Sequence, residues 1–134
     1  MNHLLRFEQV NAGYGASQVL FDVDFSVQAG EIVTLLGRNG MGKSTTVKSL
    51  TGAIALMSGE IVFEGKPISG LAPDARARRG IAVVPEGRMC FPNLTVHEHL
   101  VAFAANRNAS TQPWTVEKLY RLFPKLQERR QNMG

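Results

Sequence analysis

Polar and apolar residues alternate near the start of the chain, in two stretches that predict β-strands. The first is Leu4–Val10, and one of its faces carries Leu5, Phe7 and Gln9. The second is Val19–Val27, where every other position is apolar: Phe21, Val23, Phe25 and Val27. Because a period of two residues is typical of a half-buried strand, the pattern predicts an antiparallel sheet with a turn at Asn11–Gly15.

Two later runs are apolar at nearly every position. They are Ile32–Leu36, which follows a turn at Gln28–Glu31, and Ile81–Val84. Short continuous apolar runs are typical of strands that are covered on both faces, so both are predicted to be buried strands. A further short strand is predicted at Glu60–Phe63, followed by a hairpin turn at Glu64–Pro67.

Helix signals separate these strands. A first helix is expected to end near Leu50, because Gly52 is a typical stop. A second is expected to begin at Pro73 and end at Gly80. We predict that its arginines lie on a solvated face, where they suit the negative end of the helix dipole; they are Arg76, Arg78 and Arg79.

Two more helices are predicted in the last third of the chain. Thr95 and Glu98 have the spacing of a capping box, which opens a helix that reaches about Asn106. Thr115 is expected to cap the next helix. Its apolar face carries Val116, Leu119, Tyr120 and Phe123.

The segment Gly37–Thr46 carries the most specific chemistry. It reads Gly-Arg-Asn-Gly-Met-Gly-Lys-Ser-Thr-Thr and lies between a predicted strand and a predicted helix. That context turns the pattern G-x-x-x-x-G-K-[ST] into a predicted phosphate-binding loop. Backbone N–H groups of a glycine-rich loop can surround phosphate oxygens at the positive end of a helix.

Each residue type in this loop has a predicted use. Lys43 would place its charge at the β- and γ-phosphates of a bound triphosphate, Ser44 would offer a hydroxyl to Mg²⁺, and Thr45 would reach the α-phosphate side. The predicted nucleotide-binding residues of the loop are Gly37, Arg38, Asn39, Gly40, Met41, Gly42, Lys43, Ser44 and Thr45.

Two residues outside the loop are further candidates. Tyr14 stands between two glycines, where its ring could stack on a flat base or close over the edge of the sheet. Glu86 follows the run Ile81–Val84, but it is preceded by Pro85 and is not an aspartate. We therefore do not assign it as the magnesium-holding acid at a strand end. It can face Mg²⁺ or the γ-phosphate from a loop, or lie in a surface turn.

Composition excludes several classes of function. The 134 residues are 44% hydrophobic and 19% charged, which is typical of one folded, soluble domain. The net charge of +4 is spread out, so no nucleic-acid partner is predicted. No apolar run reaches about 18 residues, and Met1–Arg6 lacks a signal-peptide core. The lone Cys90 favours a reducing compartment. His97 and His99 are two residues apart, so on a helix their side chains point in different directions and no metal site is predicted.

These motifs resemble the nucleotide-binding subunit of ABC transporters, an α/β P-loop NTPase fold. The resemblance implies ATP and Mg²⁺ as ligands, with Tyr14 as the base-stacking aromatic and Glu86 where most members have Gln. The segments Val84–Arg88 and Leu122–Arg130 look like the LivF-like ATPases of branched-chain amino acid importers. Importers of urea, amides or another solute are the alternative.

The same resemblance implies an organisation and a set of partners. Residues 1–30 and 59–70 would form the antiparallel subdomain, 31–54 and 80–86 the P-loop core, and 87–134 the Q-loop region and the start of the helical subdomain. Expected partners are transmembrane permease subunits, facing Arg88–Leu100, a second ATP-binding subunit, and indirectly a periplasmic solute-binding protein. The protein would be a peripheral subunit on the cytoplasmic face of a bacterial inner membrane.

Other motifs of that family do not occur in these 134 residues: the Leu-Ser-Gly-Gly signature, a strand ending in Asp-Glu, and a switch histidine. We therefore expect an N-terminal piece that is incomplete as a fold and as a catalyst. Lys43 and Glu86 would support catalysis, with ATP bound weakly and not turned over. Ile32–Leu36 and Ile81–Val84 would lack some of their sheet neighbours.

Other P-loop classes stay open as interpretations. A GTPase would need an Asn-Lys-x-Asp segment, which the sequence does not contain. A small-molecule kinase would need lid arginines, for which the only candidates are Arg76, Arg78 and Arg79. A regulator that binds nucleotide without catalysis is the third possibility.

Overall fold

The computed structural model describes residues 3–106 and 109–134. They fall into two compact units, residues 1–83 and residues 84–134. The first unit contains a β-sheet and the glycine-rich loop, and the second contains short helices. The three-part division expected from the sequence stays a prediction.

The first unit is organised around one antiparallel sheet, as predicted. Its strands are β1 (His3–Tyr14), β2 (Ser17–Gln28), β3 (Leu56–Phe63) and β4 (Lys66–Pro67), in the order β2-β1-β3-β4. β1 is central and pairs with β2 and β3. The turn predicted at Asn11–Gly15 is wrong in extent, because β1 continues to Tyr14 and the chain reverses only at Gly15 and Ala16.

The core of this unit lies on one face of the sheet. Phe7 stacks on Phe25 with ring centroids 4.4 Å apart. Burial of such apolar side chains is the main favourable term for the unit. The buried members of the cluster are Leu5, Phe7, Val10, Ala12, Leu20, Ile61 and Ile68.

Two bulges change the predicted faces of β1 and β2. They coincide with positive φ at Gln9 (46°) and Asp22 (43°). The bulge at Gln9 brings Val10, and not Gln9, into the core, and the bulge at Asp22 leaves Phe21 exposed. A carboxylate oxygen of Asp24 accepts a hydrogen bond from the Gln9 amide at 2.8 Å, which compensates for the interrupted ladder.

Two helices belong to the first unit, α1 (Lys43–Thr51) and α2 (Pro73–Arg78). α1 ends at Gly52, as predicted, and Gly52 takes a left-handed conformation with φ 80°. Hydroxyl groups on the buried side of α1 donate to its own backbone: Thr46 Oγ1 to Gly42 O and Ser49 Oγ to Thr45 O, both at 2.9 Å. These bonds satisfy polar groups that face the core.

The two predicted buried strands are not strands in the structure. Residues 32–36 are irregular and exposed, and the side chain of Ile32 is 95% exposed. Residues 81–84 are also irregular, and Val84 is fully solvent-facing at 95%. A strand of this type requires hydrogen-bonded neighbours on both sides. Within the described ranges, the strands pair only among themselves, so neither run has a neighbour.

The prediction of a solvated arginine face on α2 is wrong for Arg76. Its side chain is only 2% exposed. Its guanidinium donates to four carbonyl oxygens at 2.6–2.9 Å: those of Ser49, Leu50, Ser69 and Leu71. Burial lowers the pKa of Arg76. Arg78, in contrast, is exposed and forms an i,i+4 ion pair with Asp74 at 2.6 Å.

The second unit contains α3 (Val96–Phe103), α4 (Val116–Leu122) and α5 (Pro124–Glu128). The capping box at α3 is confirmed, since Glu98 N donates to Thr95 Oγ1 at 3.2 Å and Thr95 N donates to Glu98 Oε2 at 2.8 Å. Thr115 caps α4, as predicted. α3 stops at Phe103, three residues before the predicted end, and α5 was not predicted.

In the part of the chain that the structure describes, no helix has the length and apolar character that a membrane crossing needs. No cluster of potential metal-binding side chains occurs among the same residues.

Candidate functional site

The glycine-rich loop leads directly into α1, and two of its glycines hold conformations that other residues avoid. Gly40 has φ 83° and Gly42 has φ 89°. Met41 N donates to Arg38 O at 3.3 Å, which closes a turn inside the loop. Residues 37–41 are exposed, whereas Gly42 is buried. The loop is therefore anchored at its helix end and open to solvent before it.

The first turn of α1 leaves donors for an outside acceptor. Gly42 is the N-cap and offers no side-chain acceptor, so no described side chain caps the amides of Lys43, Ser44 and Thr45. The start of a helix leaves such N–H groups without intrahelical partners, and together they carry partial positive charge. These residues fit a phosphate group, because an anion supplies the missing acceptors.

Lys43 adds a full positive charge to the same place. Its Nζ donates to the carbonyl oxygens of Gly37 at 2.6 Å and Arg38 at 2.8 Å. The ammonium group is therefore folded back over the loop. Ser44, the predicted magnesium ligand, is exposed next to it.

Tyr14 lies at the end of β1 and reaches the same helix turn. Its hydroxyl group is 3.5 Å from Thr45 Oγ1 and accepts a hydrogen bond from Lys48 Nζ at 3.3 Å. The contacts with Thr45 and then Lys48 lower the pKa of Tyr14. The residue is 45% exposed, so it retains accessible surface. The structure thus brings Tyr14 to the loop, and its role as a base-stacking residue stays a prediction.

Glu86 lies in an exposed turn of the second unit, with Gly87. Its proposed contact with Mg²⁺ or the γ-phosphate stays a prediction. The sequence reasoning missed Lys48, which contacts Tyr14. A signal was available, since Lys48 is four residues after Ser44 and such pairs share a helix face.

We expect Gly42→Ala to lower the free energy of unfolding by about 2 kcal/mol, from left-handed strain and from crowding. An added Cβ would lie 2.8 Å from Leu20 Cδ2. Gly40→Ala is the matched control, because Gly40 has similar φ but nothing within 4 Å of an added Cβ. Urea unfolding followed by far-ultraviolet circular dichroism measures both. Equal losses in the two variants would contradict the crowding at Gly42.

Comparison with known proteins confirms the resemblance predicted from the sequence. Residues 20–133 match the family model described as ABC transporter. The chain is 43% identical over 126 residues to the high-affinity branched-chain amino acid transport ATP-binding protein BraG of Pseudomonas aeruginosa, covering 94% of this chain and 54% of BraG. It is 41% identical over 97 residues to the probable branched-chain amino acid transport ATP-binding protein LivF of Archaeoglobus fulgidus, covering 72% and 41%.

A solved structure agrees with these matches. The structure described as the ATP binding subunit of an ABC transporter superposes with a TM-score of 0.77 at 34% identity, covering 97% of this chain and 54% of that chain. The predicted α/β P-loop fold class is thereby confirmed. The chain spans about half the length of BraG and of that solved subunit.

Proposed function

Since this chain belongs to the ABC transporter family, we propose that it binds Mg·ATP at the Gly37–Thr45 loop and serves as the ATP-binding part of an importer. The observation that carries this proposal is the uncapped start of α1, together with the Lys43 ammonium group folded over the adjoining loop. Charge, N–H donors and an open loop coincide there. The phosphate groups of a nucleotide match all three.

Each side chain has a distinct part in holding the nucleotide. Lys43 would exchange its carbonyl partners at Gly37 and Arg38 for phosphate oxygens. The exposed hydroxyl of Ser44 would be a ligand of Mg²⁺, with Glu86 supplying a further oxygen. Bound Mg²⁺ would neutralise phosphate charge. Tyr14 would lie against the base.

We extend the proposal to the solute and the partners by similarity. BraG and LivF are named as branched-chain amino acid transport proteins, and this solute class is proposed here. Transmembrane permease subunits, a second ATP-binding subunit and a solute-binding protein would complete the importer at the inner membrane. Exposed Met89 and Phe91 offer apolar surface for the permease contact. Leucine uptake that is unchanged after deletion of the gene would contradict the solute assignment.

We also propose that these 134 residues bind ATP without sustained turnover. Phosphoryl transfer depends on groups that position water and stabilise charge. The sequence contains no Leu-Ser-Gly-Gly signature and no hydrophobic strand that ends in Asp-Glu. Lys43, and Glu86 through bound Mg²⁺, would hold the phosphates without activating a water molecule.

Titration of the purified protein with Mg·ATP tests the proposed function. We expect saturable binding that stabilises the fold by about 1.4 kcal/mol at ten times Kd, because only the folded loop binds. Calorimetry gives Kd, and a thermal melt gives the stabilisation. ATP with excess EDTA is the control for Mg²⁺, and it should bind more weakly. A melt that is indifferent to Mg·ATP would contradict binding, and steady phosphate release would contradict the absence of turnover.

A further inference from the structure

Lys48 makes two contacts with one aromatic ring. Its Nζ lies 3.3 Å from the Tyr14 hydroxyl oxygen and 5.3 Å from the centroid of the Tyr14 ring. The lysine is exposed on α1, one helical turn beyond Ser44. Among the described residues, no carboxylate forms an ion pair with Lys48. Tyr14 is therefore the polar partner of this ammonium group.

The direction of the hydrogen bonds follows from the groups involved. An ammonium group can only donate, so the Tyr14 oxygen accepts from Lys48. The Tyr14 oxygen also lies 3.5 Å from Thr45 Oγ1, where either hydroxyl group can donate. The series of contacts from Lys48 to Tyr14 to Thr45 thus connects the ring to the last residue of the predicted phosphate site. Tyr14 is fixed at its hydroxyl end by two residues of α1.

The ammonium group also limits the motion of the ring. A cation within about 6 Å of an aromatic centroid is attracted by the ring quadrupole. Lys48 lies near the hydroxyl end of the ring, so it holds the ring without covering a face. An exposed tyrosine at a strand end would otherwise exchange among rotamers.

We propose that Lys48 is a positioning residue, which holds the Tyr14 ring in the orientation that receives the purine base of the nucleotide. The inference rests on the proposed function, because it assigns a use to Tyr14 at the same site. It adds a residue that acts through Tyr14 and not by contact with phosphate. The hydrogen bond with Thr45 and then that with Lys48 lower the pKa of Tyr14.

The first test measures the contact between Lys48 and Tyr14 in the absence of nucleotide. Ultraviolet absorbance of phenolate follows the titration of Tyr14, and Tyr14→Phe separates its signal from that of Tyr120. In Lys48→Gln, Tyr14 should titrate at higher pH, because the cation that favours phenolate is gone. Lys48→Arg should retain the wild-type titration. Lys66→Gln is the matched control, as an exposed lysine on β4. No shift in Lys48→Gln overturns the proposal.

The second test is a double-mutant cycle on Mg·ATP affinity. Lys48→Gln should raise Kd about two- to fivefold when Tyr14 is present, because the ring must then be immobilised as the nucleotide binds. In a Tyr14→Leu background the same substitution should leave Kd unchanged, because its partner is absent. Lys48→Arg should restore most of the affinity.

The outcomes separate the two proposals. An equal rise in Kd in both backgrounds overturns the positioning role, because Lys48 would then act without Tyr14. If wild-type protein does not bind Mg·ATP but the phenol titration still shifts, the proposed function fails and the base-stacking role fails with it. In that case the Lys48–Tyr14 pair itself is established. Far-ultraviolet circular dichroism of each variant verifies that the fold is intact.

Discussion

Lys43→Ala should weaken Mg·ATP binding about a hundredfold or more. The Lys43 ammonium group is held over the loop by two carbonyl oxygens, at 2.6 and 2.8 Å. It would exchange these two partners for phosphate oxygens when the nucleotide binds. Hydrogen bonds from a charged group contribute about 1.5–3 kcal/mol each, and a hundredfold loss corresponds to about 2.7 kcal/mol. Calorimetric titration of the wild type and the variant measures the ratio.

Two control variants sharpen this measurement. Lys66→Ala removes the same charge from an exposed lysine on β4 and should leave Kd within about twofold, since exposed charges are largely screened. Lys43→Arg keeps the charge but changes its shape, so it should bind more weakly than the wild type. Wild-type affinity in Lys43→Ala would remove the basis for the phosphate site.

Arg76→Met should lower the free energy of unfolding by about 4 kcal/mol. The Arg76 side chain is 2% exposed and its guanidinium group donates hydrogen bonds to four carbonyl oxygens. Methionine fills part of the volume but donates nothing, so buried acceptors lose their partners. Each unsatisfied buried group costs about 1–3 kcal/mol. Urea unfolding measures the loss.

Arg78→Met is the matched control for this effect. Arg78 is on the same helix, two residues further on, but it is exposed and only pairs with Asp74. An exposed i,i+4 pair contributes about 0.3–0.5 kcal/mol, so the control should change little. Arg76→Lys should fall between the two, because one ammonium group cannot reach all four carbonyls. Similar losses in Arg76→Met and Arg78→Met would contradict the role assigned to Arg76.

The features that the sequence predicted well depend on neighbouring residues. The capping box needs only Thr95 and Glu98, and the end of α1 needs only Gly52. The antiparallel strands are also visible, because their two-residue period is local. The conformation of the glycine-rich loop follows from its own glycines.

The features that the sequence did not predict depend on distant residues. Whether Ile32–Leu36 becomes a strand is decided by neighbours elsewhere in the chain, and an apolar run records only a tendency to be buried. Arg76 looks like a surface arginine, and its burial depends on carbonyl groups at the end of α1 and in residues 69–71. The bulge at Gln9 depends on the carboxylate of Asp24, fifteen residues away in the sequence.

The phosphate loop is supported unequally at its two ends. Gly42 is buried against β2 and continues into α1, but the preceding residues 32–36 are exposed and unpaired within the described ranges. When the loop closes round a ligand at Gly37, the backbone that precedes Gly37 must therefore also become immobile. The backbone loses conformational entropy when it becomes ordered, and this loss weakens binding. A neighbouring strand that paired with residues 32–36 would remove this penalty and tighten nucleotide binding without touching the nucleotide.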